Sequence, residues 1–381
     1  MPELRRRFEE GANVAGVLSG TSADGIDVVL ARIRSRSGTM LPPEVQAFAV
    51  EPYPEDVRGR VRDVLDGRPL DLRGTALLAR DLGRAFGRAA RTAAERARLD
   101  LDLVGSHGQT VWHHDGAEST GPATLQLGDG DFVAAEAGCP VACDFRQGDV
   151  AAGGEGAPLS ALADGLVFHA AERPCAVLNL GGLANLSVLG RRDEDLLAFD
   201  TGPAGSLLDG IARRALGEPF DREGERARTG RPDEGLVREL LGHPFFERAP
   251  PKSTGRDTFG EPYVAALAGR ARGARPEDLL ATATELVAAS VALALERFVP
   301  HRPERLLVCG GGARNLALLG AISRRTGLAV ASTAEVGVDP KAREAIVFAV
   351  LGARRVLGIP STRPGATGAR AGRVLGKLCL P

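Results

Sequence analysis

The chain has 381 residues, 44% of them hydrophobic and 25% charged, an ordinary globular composition whose length predicts two domains rather than one core. Its 48 basic and 49 acidic residues leave a formal net charge of -1, which argues against a nucleic-acid binder or an anionic-membrane binder. Five cysteines without metal-like or redox-like spacing predict reduced thiols in a cytoplasm.

The N-terminal "MPELRRRFEE" lacks the apolar core of a signal peptide and reads as a solvated tail. Asn13–Leu18 and Asp27–Ile33 read as paired strands around the turn "SGTSADG". A proline-rich connection follows, then amphipathic helix over Asp71–Arg98, where apolar residues recur at helical spacing. "LDLVGSHGQTVWH" is a buried strand running into a polar turn, and Asp131–Ala137 a short helix. "DFRQGDVAAGGEGAPL" reads as a loop too glycine-rich to pack, and Leu159–Ala171 as helix. A second set of elements starts at "RPCAVLNLGGLANLSVL", again two strands around a Gly and Asn turn. "LLAFDTGPAGSLLDGIARRAL" is strand, turn and helix, and 217–260 is polar and broken. Leu279–Phe298 is a long helix, "RLLVCGGGARNLALL" is strand, glycine triplet and helix, and Lys341–Leu357 is a last helix before a loose tail. Apolar stretches are interrupted before ~20 residues, so no membrane-crossing helix is expected. Strands alternate with helices in both halves, which gives an α/β class.

Several turns carry chemistry. Ser19, Thr21 and Ser22 supply hydroxyls and Gly20 allows close backbone approach, a combination suited to phosphate. Asp24 or Asp27 is placed to meet Mg²⁺. The Lys of a Walker loop is absent, and an Asx-turned hairpin explains the same residues. Asn179, Gly181 and Gly182 form a second such turn, open to the same two readings. Gly310, Gly311 and Gly312 stand between a strand and a helix, with Asn315 following, where a nucleotide can approach. His107, Gln109 and Thr110 lie just beyond a strand end. Asp144, Arg146, Asp149 and Glu155 cluster on one loop, and Lys252 sits among turn residues. Asp200 ends a strand before a helix, as a general base or a plain N-cap.

In order along the chain, "SGTSADGID", "SHGQTVWH", "LQLGDG", "DFRQGDVAAGGEGAPL", "NLGGLANLS", "FDTGP", "PKSTGR", "CGGGARN" and "EAIVFA" resemble the blocks of the anhydro-N-acetylmuramic acid kinases. These are sugar kinases of the actin, Hsp70 and hexokinase superfamily. The resemblance implies a two-lobed fold of duplicated ribonuclease H-like domains, 1–165 and 166–381, with an interdomain cleft. It implies that ATP and Mg²⁺ are used to open a 1,6-anhydro sugar with water and phosphorylate O6, in cytoplasmic recycling of peptidoglycan by a homodimer. Ser19, Gly20, Thr21, Ser22, Ala23, Asp24, Gly25 and Ile26 match the ATP phosphate motif, Asp24 serving the metal. Asn179, Gly181, Gly182, Gly310, Gly311, Gly312 and Asn315 complete the nucleotide side. Asp200 matches the general base for water, with Glu344 as a second acidic group. His107, Gln109, Thr110, Asp144, Arg146 and Lys252 are assigned to the sugar, Arg146 or Lys252 facing the lactyl carboxylate.

Three motifs depart from the family pattern, at four positions. "GPAG" stands for GPGN at Ala204 and Gly205, Glu155 replaces a Gln, and Asp257 replaces a Glu. They leave open a neutral anhydrosugar such as levoglucosan as substrate, or a non-catalytic nucleotide-binding member of the superfamily.

Overall fold

A computed structural model describes residues 1–20, 23–114, 121–192 and 195–381, without the side chains of His114 and Arg256. The chain forms two compact units, Met1–His169 together with Ala342–Pro381, and Ala170–Lys341.

The first unit is built on strands β1 (Ala12–Ser19), β2 (Ile26–Ile33), β3 (Ser35–Arg36), β4 (Thr39–Met40), β5 (Glu44–Glu51), β6 (Leu103–His114), β7 (Ala123–Leu127) and β8 (Val141–Cys143). The main sheet runs β8-β6-β1-β2-β5, with β7 paired to β6. Strand β2 runs antiparallel to both β1 and β5, while β6 and β8 add in parallel to β1. The predicted amphipathic segment is one helix, Leu72–Ala97, capped by the Asp71 carboxylate on the Gly74 N–H and ended by left-handed Arg98. Its buried Leu78, Leu82, Phe86, Ala89, Ala90 and Ala93 form the apolar stripe that meets the sheet.

The second unit holds β9 (Cys175–Leu180), β10 (Leu183–Leu189), β11 (Leu197–Pro203), β12 (Arg305–Cys309) and β13 (Ala329–Ser332), in the order β11-β10-β9-β12-β13. Again three strands are antiparallel and two add in parallel. The two units thus share one strand order, the duplication expected of ribonuclease H-like lobes, where the sequence showed only a likeness of organisation. The helix Pro276–Phe298 is long and apolar enough to cross a membrane, contrary to expectation, but 78% of its apolar window is buried inside the protein. It is a core helix, packing Leu280, Ala283, Leu286, Val287 and Val291.

The two ends of the chain also correct the sequence reading. Pro2–Glu10 is a helix that buries Phe8, and the Arg5 guanidinium donates to the Val356 carbonyl at 2.9 Å. The C-terminal strand β14 (Lys377–Cys379) pairs with β8, and Leu375 and Ala369 before it are buried, so this segment is no loose tail. The helix Arg343–Leu357 belongs to the first unit. Glycines on the sheet let its backbone approach: a Cβ on Gly16 would lie 1.8 Å from the Ala345 carbonyl oxygen, and one on Gly105 2.0 Å from that of Phe348. The segment that the sequence assigned to the second domain therefore folds with the N-terminal one.

Candidate functional site

In the first unit the candidate turn leaves β1 at buried Ser19. The Ala23 N–H donates to the Gly20 carbonyl at 3.1 Å, and Ala23 takes a positive φ of 49°. Asp24 is exposed, and Ile26 is buried at the start of β2. Thr21 and Ser22 lie outside the described residues. Beside this turn, β6 carries a bulge: Val17 pairs with Ser106 and Ser19 with Gln109, so His107 and Gly108 oppose Leu18 alone. Gly108 allows it with φ 81°. Such bulges re-aim side chains, and here Gln109 turns fully inward. Its amide nitrogen donates to the Gly20 and Thr110 carbonyls at 3.3 and 3.2 Å, and its oxygen accepts from the Tyr53 hydroxyl at 3.2 Å.

His107 and Arg146, assigned together from sequence, do meet. The Arg146 Nε donates to His107 Nε2 at 3.0 Å, so the imidazole accepts there and its Nδ1–H donates to the Gly108 carbonyl at 3.1 Å. Burial, then the guanidinium charge, pushes the His107 pKa well below its ordinary value, and the ring lies 4.4 Å from that of Phe348. Arg146 Nη1 also donates to the Gly156 carbonyl at 2.7 Å. Buried Asp149 holds the same loop, accepting from the Gly156 N–H at 2.9 Å and the Thr367 hydroxyl at 2.7 Å. This ordering corrects the loop reading of "DFRQGD", which begins with a helical turn, Phe145–Val150. Asp144 takes a left-handed φ of 54° and pairs with Lys377 of β14 at 2.5 Å. The Thr110 hydroxyl accepts from the Gln126 amide at 3.2 Å. Glu344 lies in the first turn of the helix Arg343–Leu357, next to Arg343, which makes a buried bidentate pair with Asp164.

In the second unit Asn179, Asn185 and Asp200 stand side by side across β9, β10 and β11. The pairing shifts between Ala184 and Asn185, leaving Thr201 as a bulge next to Asp200. The 6% exposed Asp200 accepts from the Thr254 N–H at 2.9 Å through Oδ2, and its own N–H donates to the Lys252 carbonyl at 3.0 Å. Lys252 is not on an open face. Its ammonium donates to the Phe245 carbonyl at 3.1 Å and lies 4.6 Å from the Phe245 and Phe298 ring centres and 5.8 Å from that of Phe199. Burial and the charges of Arg248 and Arg297 pull its pKa down to about 8, against the opposing pull of Asp200.

The two glycine turns have structural work as well. The Gly182 carbonyl accepts from the Ala204 and Ser206 N–H groups at 3.1 and 3.0 Å, and that of Gly181 from Gly205 at 2.9 Å. A Cβ on Gly205 would come 2.8 Å from the Gly181 oxygen, which fits glycine to this departure from the family pattern. Of the triplet, Gly310 and Gly312 are required by Asn179 and Leu180, both 2.6 Å from their ideal Cβ positions, while Gly311 meets nothing within 4 Å. Packing therefore explains two of three glycines that sequence reasoning gave to a ligand. Asn315 caps the following helix, its amide oxygen accepting from the Leu318 N–H at 3.0 Å. Sequence reasoning missed Tyr53, Thr254 and Asp164; Thr254 lies in the "PKSTGR" block but was passed over for Lys252, the other two sit in no motif, and the only signal for Tyr53 is that the chain has two tyrosines.

Among the described residues no three His, Cys, Asp or Glu side chains converge on a metal position. Asp24 supplies one exposed hard-oxygen donor, which suits Mg²⁺, an ion held in kinases by one or two carboxylates plus phosphates and water.

The family model for anhydro-N-acetylmuramic acid kinase matches residues 12–381. The protein of that name from Salinibacter ruber (strain DSM 13855 / M31) is 42% identical over 394 residues, covering 99% of this chain and 98% of its own. That from Gloeobacter violaceus (strain ATCC 29082 / PCC 7421) is 40% identical, covering 95% and 97%. That from Streptomyces coelicolor (strain ATCC BAA-471 / A3(2) / M145) is 41% identical, covering 96% and 93%.

Proposed function

The chain belongs to the anhydro-N-acetylmuramic acid kinase family, and from that premise we propose that it opens 1,6-anhydro-N-acetylmuramic acid and phosphorylates it with ATP. Water adds at C1 and the C1–O6 bond breaks. O6 takes the γ-phosphoryl group, giving N-acetylmuramic acid 6-phosphate and ADP. The observation that carries this reading is Asp200: a nearly buried carboxylate at a strand bulge, held on one oxygen by the Thr254 N–H. A carboxylate oriented this way is suited to take the proton of the attacking water. Glu344, at the start of a helix, is the second acidic group.

The Ser19–Ile26 turn and the open backbone at Gly311 receive the nucleotide. Asp24 would hold Mg²⁺, which supplies neutralisation of phosphate charge when bound. The rigid Arg146–His107 pair presents a fixed cation to the lactyl carboxylate. Lys252 leaves the sugar set: enclosed by phenylalanines, it supports Asp200 from behind. The setting is a bacterial cytoplasm, in recycling of cell-wall fragments, with the protein acting as a homodimer.

The test is ADP release with ATP and Mg²⁺, offering anhydro-N-acetylmuramic acid and levoglucosan in parallel. The first sugar alone should turn over, and Asp200→Asn should lower the rate by about 10²–10⁴, the usual worth of a general base. Turnover of levoglucosan instead would overturn the substrate, and an undiminished Asp200→Asn rate would overturn the base.

A further inference from the structure

We propose that Gln109 and Tyr53 are positioning residues for the phosphate turn after β1, rather than contacts to the sugar. The inference rests on reading Ser19–Ile26 as that turn. Gln109 has no exposed surface, and a primary amide has two N–H donors. Its nitrogen reaches the Gly20 and Thr110 carbonyls, which accounts for both. Its oxygen already accepts from Tyr53. A sugar hydroxyl has no donor left to meet here.

Tyr53 comes from the connection between β5 and the next helix, Glu55–Leu65. It is itself buried, with its ring 6.3 Å from that of Phe86. Its hydroxyl also interacts with that of Ser19, which lies 3.4 Å from the Gly20 carbonyl oxygen. Ser19, Gly20, Gln109 and Tyr53 thus close one buried polar network around the first residues of the turn. The bulge at His107 and Gly108 brings Gln109 into register with Ser19. Burial raises the Tyr53 pKa far above neutrality, so the phenol remains a donor at any working pH. A turn that is to meet phosphate with its backbone gains from being fixed beforehand, because the ordering cost is then met by folding rather than by binding. Removing the network should therefore weaken nucleotide binding through a turn that neither side chain needs to touch from outside.

The experiment measures KM for ATP and for the anhydrosugar separately in the wild type, Tyr53→Phe and Gln109→Met, with thermal melts to confirm folding. Tyr53→Phe should raise KM for ATP about fivefold and Gln109→Met about tenfold or more, as for loss of one and several buried hydrogen bonds. KM for the sugar should stay within about twofold. A rise confined to the sugar KM would return Gln109 to the substrate site, and unchanged constants in folded variants would make the network a packing feature; either overturns the proposal. Titration with an unhydrolysed ATP analogue separates this from the function. Wild type that binds the analogue without turning over the sugar refutes the substrate reading alone, and the variants' analogue affinities still decide the inference. Wild type that does not bind the analogue refutes both.

Discussion

Lys252→Met should stabilise the protein at neutral pH while impairing its chemistry. In the folded chain the ammonium is 2% exposed, bonded to one carbonyl and faced by three aromatic rings. The rings and carbonyl favour the charged form, each cation–π contact by about 0.5–2 kcal/mol, yet burial prevails and the pKa falls from 10.5 to about 8. A depressed lysine means that the unfolded chain binds more protons between pH 8 and pH 10.5. Stability therefore rises with pH across that window, and below pH 8 the native state carries the full penalty. That depression corresponds to at most about 3 kcal/mol, most of which is relieved by pH 10. Methionine has similar length and no charge to desolvate. Urea unfolding of both proteins at pH 7, 9 and 10 isolates the effect, because every other titrating group cancels in the difference. The advantage of the variant should shrink by about 2–3 kcal/mol from pH 7 to pH 10. A difference independent of pH would refute the argument that Lys252 is held charged against its surroundings. The same variant should lose kcat rather than sugar affinity, since Lys252 pairs with the backbone of Asp200 and faces no solvent.

Asp164→Asn leaves the buried Arg343 guanidinium without its carboxylate and should cost about 3–5 kcal/mol. Thermal melts should show Asp164→Leu combined with Arg343→Met recovering most of that loss, and a single variant that melts with the wild type would exclude the pair as a stabilising lock. Gly105→Ala drives a methyl group onto the Phe348 carbonyl, where no flexible side chain can yield, so about 3 kcal/mol or more should be lost in urea unfolding. His107 should remain neutral and Nδ1-protonated well below pH 6.5, observable in its imidazole nitrogen shifts. Because its folded pKa is depressed, its contribution to stability is present above the unfolded value and is lost as pH falls below 6.5.

Much of the fold was legible because local periodicity carried it. The helices Leu72–Ala97 and Pro276–Phe298 and the hairpin β1–β2 follow from spacing, capping and turn residues. The helix Phe145–Val150 was hidden by its glycines, since its order comes from Asp149 and Thr367, far apart in the chain. At the site, His107 and Arg146 were found as motif residues and do meet. Lys252 was found for the wrong surroundings: a lysine among turn residues reads as exposed, and the three phenylalanines that enclose it come from separate segments.

By itself the sequence determined the α/β class, the order of the elements and the family, because periodicity and ordered motifs are properties of the chain read linearly. Tertiary structure decided what each motif residue does. Gln109 is committed to the turn, two glycines of the triplet to β9, Asn315 to a helix cap, and the C-terminal helix to the first sheet. The physical reason is common to all four. A polar group or a missing Cβ has a role only once its partner is known, and these partners lie dozens to hundreds of residues away or are backbone groups that carry no sequence signature.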